Sequence, residues 1–203
     1  MSRIALTPRK SPSQRRSGVT VDVIIEGAIR VLLEDGYGAL TTVRVARRAG
    51  VSVGSLYQYF PNKQAVVAEI VRRRAAEIIA VVTRVDTDPE SDPASAVSTL
   101  IAALLREKRQ DLPLARALAP AMAEVEGRRL IMEAARSVVP ELAGKLHSAT
   151  GKPLTARDRS GLAIAVAAIE GALWEAIASD PDAFDSPALH QQLTTILLSA
   201  LSE

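Results

Sequence analysis

The sequence predicts an all-α chain built in two parts. Apolar residues recur at three- and four-residue steps between capping and breaking residues, and no segment alternates with the two-residue period of a strand. Bulk is distributed unevenly: Tyr37, Tyr57, Tyr59 and Phe60 are four of the six aromatic residues, whereas residues 86–203 hold 24 alanines. One part is packed around rings and the other around small aliphatic side chains.

The elements follow in order. Residues 1–19 are rich in Ser, Pro, Arg and Lys without an apolar period, which predicts a flexible basic arm. Thr20 caps a helix to about Asp35, on which Ile24, Ala28, Val31 and Leu32 share a face, and Gly36 ends it. Thr41 caps a short helix through Ala49, Gly50-Val51-Ser52 turns the chain, and Ser52 caps a second short helix from Val53 to Phe60. Pro61-Asn62 breaks that helix, and Asn62 caps a long one from Lys63 to about Val85. Asp86 to Pro93 is a polar linker whose end, Asp92-Pro93, supplies the cap and first residue of a helix to about Lys108. Pro113 and Pro120 bound a short helix and open a longer one that reaches His147 with a bend at Pro140. After a turn at 150–153, Thr155 and Asp158 form a capping box at the start of a helix to Ser179. Asp180-Pro181-Asp182 interrupts, and Ser186-Pro187 starts a last helix to Leu201. The expected division is an arm (1–19), a small helical domain (20–65) linked through the helix 63–85, and a larger helical domain (86–203).

Composition excludes several chemistries. Of 203 residues, 48% are hydrophobic and 24% charged, as in a folded protein rather than a disordered one. The absence of cysteine excludes disulfides, thiol nucleophiles, iron–sulfur clusters and cysteine-ligated zinc. Two histidines, His147 and His190, leave little room for a metal centre, and neither metal nor cofactor is expected. No nucleophile–base pair or phosphate-binding glycine loop is evident, which argues against an enzyme. The N-terminus lacks the apolar stretch of a signal peptide, and the longest strongly apolar run, Gly161 to Ile169, stops at Glu170, short of a bilayer span. A cytoplasmic protein without a membrane partner is expected. The net charge of +2 hides an asymmetry: residues 1–85 hold 14 Lys/Arg against 6 Asp/Glu, and residues 86–203 hold 11 against 17. A basic first part suits a polyanionic partner; a chance split across solvated faces is the alternative.

Residues 41–60, TTVRVARRAGVSVGSLYQYF, place two short capped helices on either side of a turn containing Gly50. That is the layout of a helix-turn-helix, whose second helix enters the DNA major groove. Ala46 and Ala49 are small where the helices approach, and Val51 and Leu56 fill the gap between them. Ser, Tyr and Gln on the second helix bond phosphates or base edges. Pattern alone leaves an ordinary helical hairpin open.

From Gly36 to Val67, and most of all over Ala49 to Lys63 (AGVSVGSLYQYFPNK), the sequence resembles the DNA-binding domain of the TetR family of bacterial transcriptional regulators. Ile24-Ile25-Glu26-Gly27-Ala28 and Asp35-Gly36-Tyr37 suit the family's first helix, so the detailed resemblance covers about residues 20–70. It implies double-stranded DNA as partner and assigns roles residue by residue. Thr41 caps the first helix of the motif, Thr42 lies in its first turn near the DNA backbone, and Arg44 points toward DNA. Ser52 caps the recognition helix, whose N-terminus favours an anion. Val53, Gly54 and Ser55 form the tip facing the groove floor: Gly54 lets the backbone come close and Val53 touches a thymine methyl. Tyr57 and Tyr59 bond phosphates, Gln58 reaches a base, and Lys63 grips a phosphate. Leu56, Phe60 and Tyr37 belong to the core. Two departures stand out. Arg44 replaces the acidic residue that often completes a capping box with position 41, costing about 0.5–1 kcal/mol. Val53 replaces polar base readers, which shifts the expected recognition toward phosphates, DNA shape and the arm. Arg15 and Arg16 either enter a minor groove or merely solubilise the arm.

A helix-turn-helix gains specificity as a dimer. Gly161, Ala165, Ala168 and Ala172 recur at close-packing steps, and Leu189, Leu193, Ile196, Leu197, Ala200 and Leu201 form an apolar stripe. Such a stripe is buried within one chain or between two; the resemblance implies the interface of a homodimer, a bundle of four helices. It also implies a ligand cavity within residues 93–150. Met122, Met132 and Trp174 are candidate linings, each equally an ordinary core residue. Arg106, Arg109, Arg116 and Arg136 either meet an anionic ligand group or are solvated. Glu170, inside an apolar helix, requires a partner or an interface, and His147 suits the surface. The scarcity of aromatics favours an aliphatic pocket over one that stacks flat rings. The expectation is a homodimeric repressor on a palindromic operator, responsive to a small-molecule effector. A helical interaction module, or a DNA-binding regulator without a ligand, is the alternative.

Overall fold

The computed structural model describes residues 5–7, 15–86, 92–150 and 155–201; among them the regular structure is nine α-helices and three short 3-10 turns. The first helix, α1, is Arg15–Asp35. It starts ahead of Thr20, with Gly18 inside it and no proline in 15–19 to stop it, so Arg15 and Arg16 lie in its first turn and not in an arm. A further piece of the expected arm is tied down. Asn62 Nδ2 donates to the Ala5 carbonyl (3.1 Å), Arg72 Nη2 donates to the Leu6 carbonyl (2.9 Å), and the Leu6 side chain packs on the core. Residues 1–4 and 8–14 of that expected arm lie outside the described residues.

Then come α2 (Thr42–Ala49), α3 (Val53–Tyr59) and α4 (Lys63–Arg84). Asn62 Oδ1 accepts from the Ala65 amide (2.7 Å), so the cap of α4 is as expected. The expected linker at 86–93 falls mostly outside the described residues. The next helix, α5 (Pro93–Leu118), is capped by Asp92, whose Oδ1 accepts from the Ser95 amide (3.0 Å). It runs on past Lys108 and through Pro113, against the expectation of a break there. A proline removes one backbone hydrogen bond, and the burial of Leu114 and Leu118 just beyond it holds the helix together. The expected long helix to His147 is two: α6 (Gly127–Ser137) and α7 (Val139–Thr150). Pro140 stands at the second position of α7, where no amide is required, so it starts a helix instead of bending one. The next, α8 (Ala156–Ser179), opens on the expected box: the Thr155 amide donates to Asp158 Oδ2 (2.7 Å) and the Asp158 amide to Thr155 Oγ1 (3.2 Å). The last, α9 (Pro187–Leu198), is capped by Ser186 and ends short of Leu201.

The chain divides into two compact units. Unit 1 is Met1–Arg74 with Pro113–Ile131; unit 2 is Ala75–Leu112 with Met132–Glu203. The expected single domain over 86–203 therefore gives up residues 113–131. In unit 1, Ile24, Leu32, Leu40, Leu56, Phe60 and Ile70 form a sealed core, and Leu114, Leu118, Ala121 and Val125 complete it from the distant segment. That segment turns sharply at Glu126 (φ 51°), and Gly127 follows where a Cβ would strike Met122. In unit 2, Leu100, Leu146, Leu162, Leu173 and Leu193 are buried. Each of α4, α5 and α6 is one continuous helix with residues in both units. By length and composition α8 is able to cross a bilayer, which the run Gly161 to Ile169 taken alone did not indicate. In this fold it carries two buried acids, Asp158 and Glu170, and packs in unit 2.

Candidate nucleic-acid interface

Two glycines set the pairing of the short helices. Gly50 ends α2 with φ 68°, a left-handed turn that favours glycine, and lets the Val51 amide reach the Ala46 carbonyl (3.0 Å). At Gly27 a Cβ would stand 2.9 Å from the Ala49 amide nitrogen, so its absence allows α1 to touch the end of α2. Thr41 Oγ1 accepts from the Arg44 amide (3.2 Å) and Ser52 Oγ from the Ser55 amide (3.0 Å), and both threonine and serine caps are as expected.

The helix α3 is two-sided. Leu56 and the adjoining Phe60 are fully buried, as their expected core role requires. Ser52, Gly54, Tyr57 and Gln58 are exposed, Tyr57 at 42%. Val53, Ser55 and Tyr59 are half-buried, and Val53 and Tyr59 pack on the core. Of the two tyrosines expected to bond phosphates, only Tyr57 is turned outward; its hydroxyl lies 3.1 Å from Thr42 Oγ1, which joins the start of α2 to the outer face of α3. Arg44 is exposed but engaged, its guanidinium 3.2 Å from Asp35. Arg48 pairs with Glu34, and these four line a shallow groove with Arg47 and Val31. Arg47 and Arg48 were absent from the expected contacts, although their spacing from Arg44 puts all three on one helical face.

A second cluster fixes the start of α4. The Tyr37 hydroxyl donates to Glu124 Oε2 (2.7 Å), Gln64 Nε2 donates to the same oxygen (3.0 Å), and the Lys63 ammonium lies 4.1 Å from the Tyr37 ring centre. Burial, then the Glu124 carboxylate, push the Tyr37 phenol up from its ordinary value. The Tyr37 hydroxyl, then Gln64, hold the Glu124 carboxyl below the usual carboxylate range. Tyr37 is buried as expected, but no sequence signal pointed to Glu124, 87 residues away.

Residues 24–70 match the family described as bacterial regulatory proteins, tetR family. Over this segment the chain is similar to the tetR family. The fatty acid metabolism regulator protein of Bacillus subtilis (strain 168) is 32% identical over 56 residues, covering 28% of this chain and 29% of that protein. The HTH-type transcriptional repressor KstR of Rhodococcus jostii (strain RHA1) is 30% identical over 95 residues, 47% of this chain and 43% of that one. The matches thus span less than half the length of these curated relatives. The solved structure of the regulator FadR from Bacillus subtilis in complex with stearoyl-CoA superposes with a TM-score of 0.60 at 20% identity, over 89% of this chain and 97% of that one. At that identity the likeness concerns the fold.

Outside the segment that matches the tetR family, unit 2 contains a partly open cavity. It is lined by Ile79 and Val82 of α4, Leu104 of α5, Leu142 of α7, Val166 of α8 and other aliphatic residues, with Glu170 as the one polar lining residue. None of Met122, Met132 and Trp174 lines it. Met122 packs in unit 1, on the core beneath Gly127, because residues 113–131 belong there. The aliphatic lining agrees with the scarcity of aromatic residues. Glu170 has the partner it requires: Lys108 Nζ donates to its Oε2 (2.9 Å), both residues being over nine-tenths buried. Arg106, Arg109, Arg116 and Arg136 are exposed, Arg109 pairing with Asp185, and His147 is exposed as expected.

The residues expected at a dimer interface separate into two groups. Leu193, Leu197 and Ala165 are at most 4% exposed within the single chain, so they pack inside unit 2. Their stripe faces inward because α9 lies against α8: at Gly161 a Cβ would stand 2.7 Å from the Ala200 carbonyl oxygen. Ala168 is exposed, and Ala172, Leu189, Ile196 and Ala200 are half-buried. Ile164, not among the expected residues, is 70% exposed.

Proposed function

We propose that this protein is a DNA-binding transcriptional regulator, a homodimeric repressor of a palindromic operator in the bacterial cytoplasm, released by a small aliphatic effector. The observation that carries the reading is the two-sided α3, anchored by Leu56 and offering Gly54, Tyr57 and Gln58 to a groove. Thr41, Thr42, Ser52 and Ser55 hold the edges of this surface, Val53 supports an apolar contact at its tip, and Lys63 with Arg44, Arg47 and Arg48 supplies positive charge for phosphates. Catalysis forms no part of the reading.

The second copy docks on the apolar surface of α8 and α9, with Ile164 and Ala168 at its centre and Leu189 and Ile196 beside them. The effector occupies the aliphatic cavity of unit 2. Its effect on DNA requires unequal affinity for two arrangements of the chain, one matched to the operator and one not. The continuity of α4, α5 and α6 from unit 2 into unit 1 offers the route.

The test is fluorescence anisotropy of palindromic duplexes from DNA flanking the coding region, titrated with salt. Specific binding is expected, with Lys63→Ala weakening it on all sequences and lowering the salt slope by about one. No preference for any flanking duplex over a shuffled one overturns the reading.

A further inference from the structure

We infer that the unit 2 cavity takes an uncharged aliphatic molecule carrying a hydrogen-bond donor at one end, such as a hydroxyl, and that Glu170 receives that donor. The inference rests on the proposed effector role of this cavity and narrows its chemistry.

Charge decides the head group. Glu170 and Lys108 are an opposite pair at 2.9 Å, both nearly sealed from water, and their charges cancel. Every other lining side chain is aliphatic. A carboxylate or ammonium drawn into this space adds a charge that nothing on the wall neutralises, and burying an unpaired charge is strongly unfavourable. A neutral molecule leaves the pair intact. Hydrogen bonding then sets its orientation. A carboxylate accepts several hydrogen bonds on two oxygens. Lys108 donates to Glu170 Oε2, and Glu170 itself borders the cavity. Its remaining acceptor capacity is met by a ligand hydroxyl or amide N–H, which forms a charge-assisted bond. A purely acceptor head group, such as an ester, covers the carboxylate without satisfying it. The aliphatic remainder of the cavity takes the chain.

The experiment compares four probes of one chain length by isothermal titration calorimetry on the full chain without DNA, at neutral pH: 1-decanol, methyl decanoate, decanoate and decylamine. The expected result is that decanol binds at least tenfold tighter than each of the others. Replacing both partners with Lys108→Met and Glu170→Met together removes the pair without leaving a lone charge, which proteins tolerate. That variant is expected to bind decanol and methyl decanoate alike. Decanoate or decylamine binding as tightly as decanol overturns the inference, as does a decanol preference that survives in the double variant. If the double variant fails to fold, the ranking on the wild-type chain decides alone. Operator release is measured separately. Decanol preference without any effect on DNA overturns the effector reading and leaves the head-group assignment standing.

Discussion

Gly54 has no steric need for glycine within its own chain: a Cβ there meets nothing nearer than Ser52 Oγ at 3.8 Å. Alanine in its place raises helix propensity by up to about 1 kcal/mol. Gly54→Ala is therefore expected to melt no lower than wild type, by calorimetry, yet to bind its operator at least tenfold more weakly because the added methyl holds α3 off the groove. Unchanged binding would remove the close approach assigned to this residue. Tyr37 gives a pH signature. Its phenol holds its proton more tightly in the fold than in the unfolded chain, so its contribution is intact below its ordinary value of 10.0 and is lost as pH rises beyond it. Tyr37→Phe should show a smaller fall in melting temperature between about pH 9 and pH 11 than wild type. Glu124 has the opposite sign, its contribution present above the usual carboxylate range and lost as pH falls through the lowered value. The caps at Thr41, Ser52, Asn62 and Asp92 were legible in the sequence because each bonds an amide three residues on. The Tyr37–Glu124 and Lys108–Glu170 bonds, 87 and 62 residues apart, left no comparable local signal.

Helix identity was legible throughout, and helix ends were not where packing outweighs local preference. A break was expected near Pro113 because a proline lacks the amide a helix needs, yet α5 continues to bury Leu114 and Leu118. Tying Ala5 and Leu6 to Asn62 and Arg72 uses backbone carbonyls, which every residue has, so composition gave no hint of it. The contact between α1 and α2 tests the same reasoning. Gly27→Ala places a methyl against backbone at 2.9 Å, where no side chain is free to give way. Urea unfolding should show a loss of about 1–3 kcal/mol; a neutral result would mean that α1 and α2 separate without penalty.

The molecule as a whole joins a basic, ring-packed unit to an acidic, alanine-rich one, and that contrast was visible in composition. The division was not: residues 113–131 complete the core of unit 1 from a stretch that composition assigns to the second part. The proposed interface is a matter of exposure, since a stripe of Leu and Ala has the same sequence signature buried within one chain as between two. Exposure distinguishes them. Ile164→Asp alters a residue 70% exposed and should leave the fold intact. It is expected to sediment as a monomer at micromolar concentration, and a variant that stays dimeric would move the interface off this face. The central claim, that α3 reads a duplex together with a twin copy, is tested most directly by selecting binding sites for the purified protein from random duplex DNA. Enrichment of inverted half-sites centred about 10 base pairs, or a multiple of that, apart is the predicted result. A pool that gains no sequence, or only isolated half-sites, would contradict it.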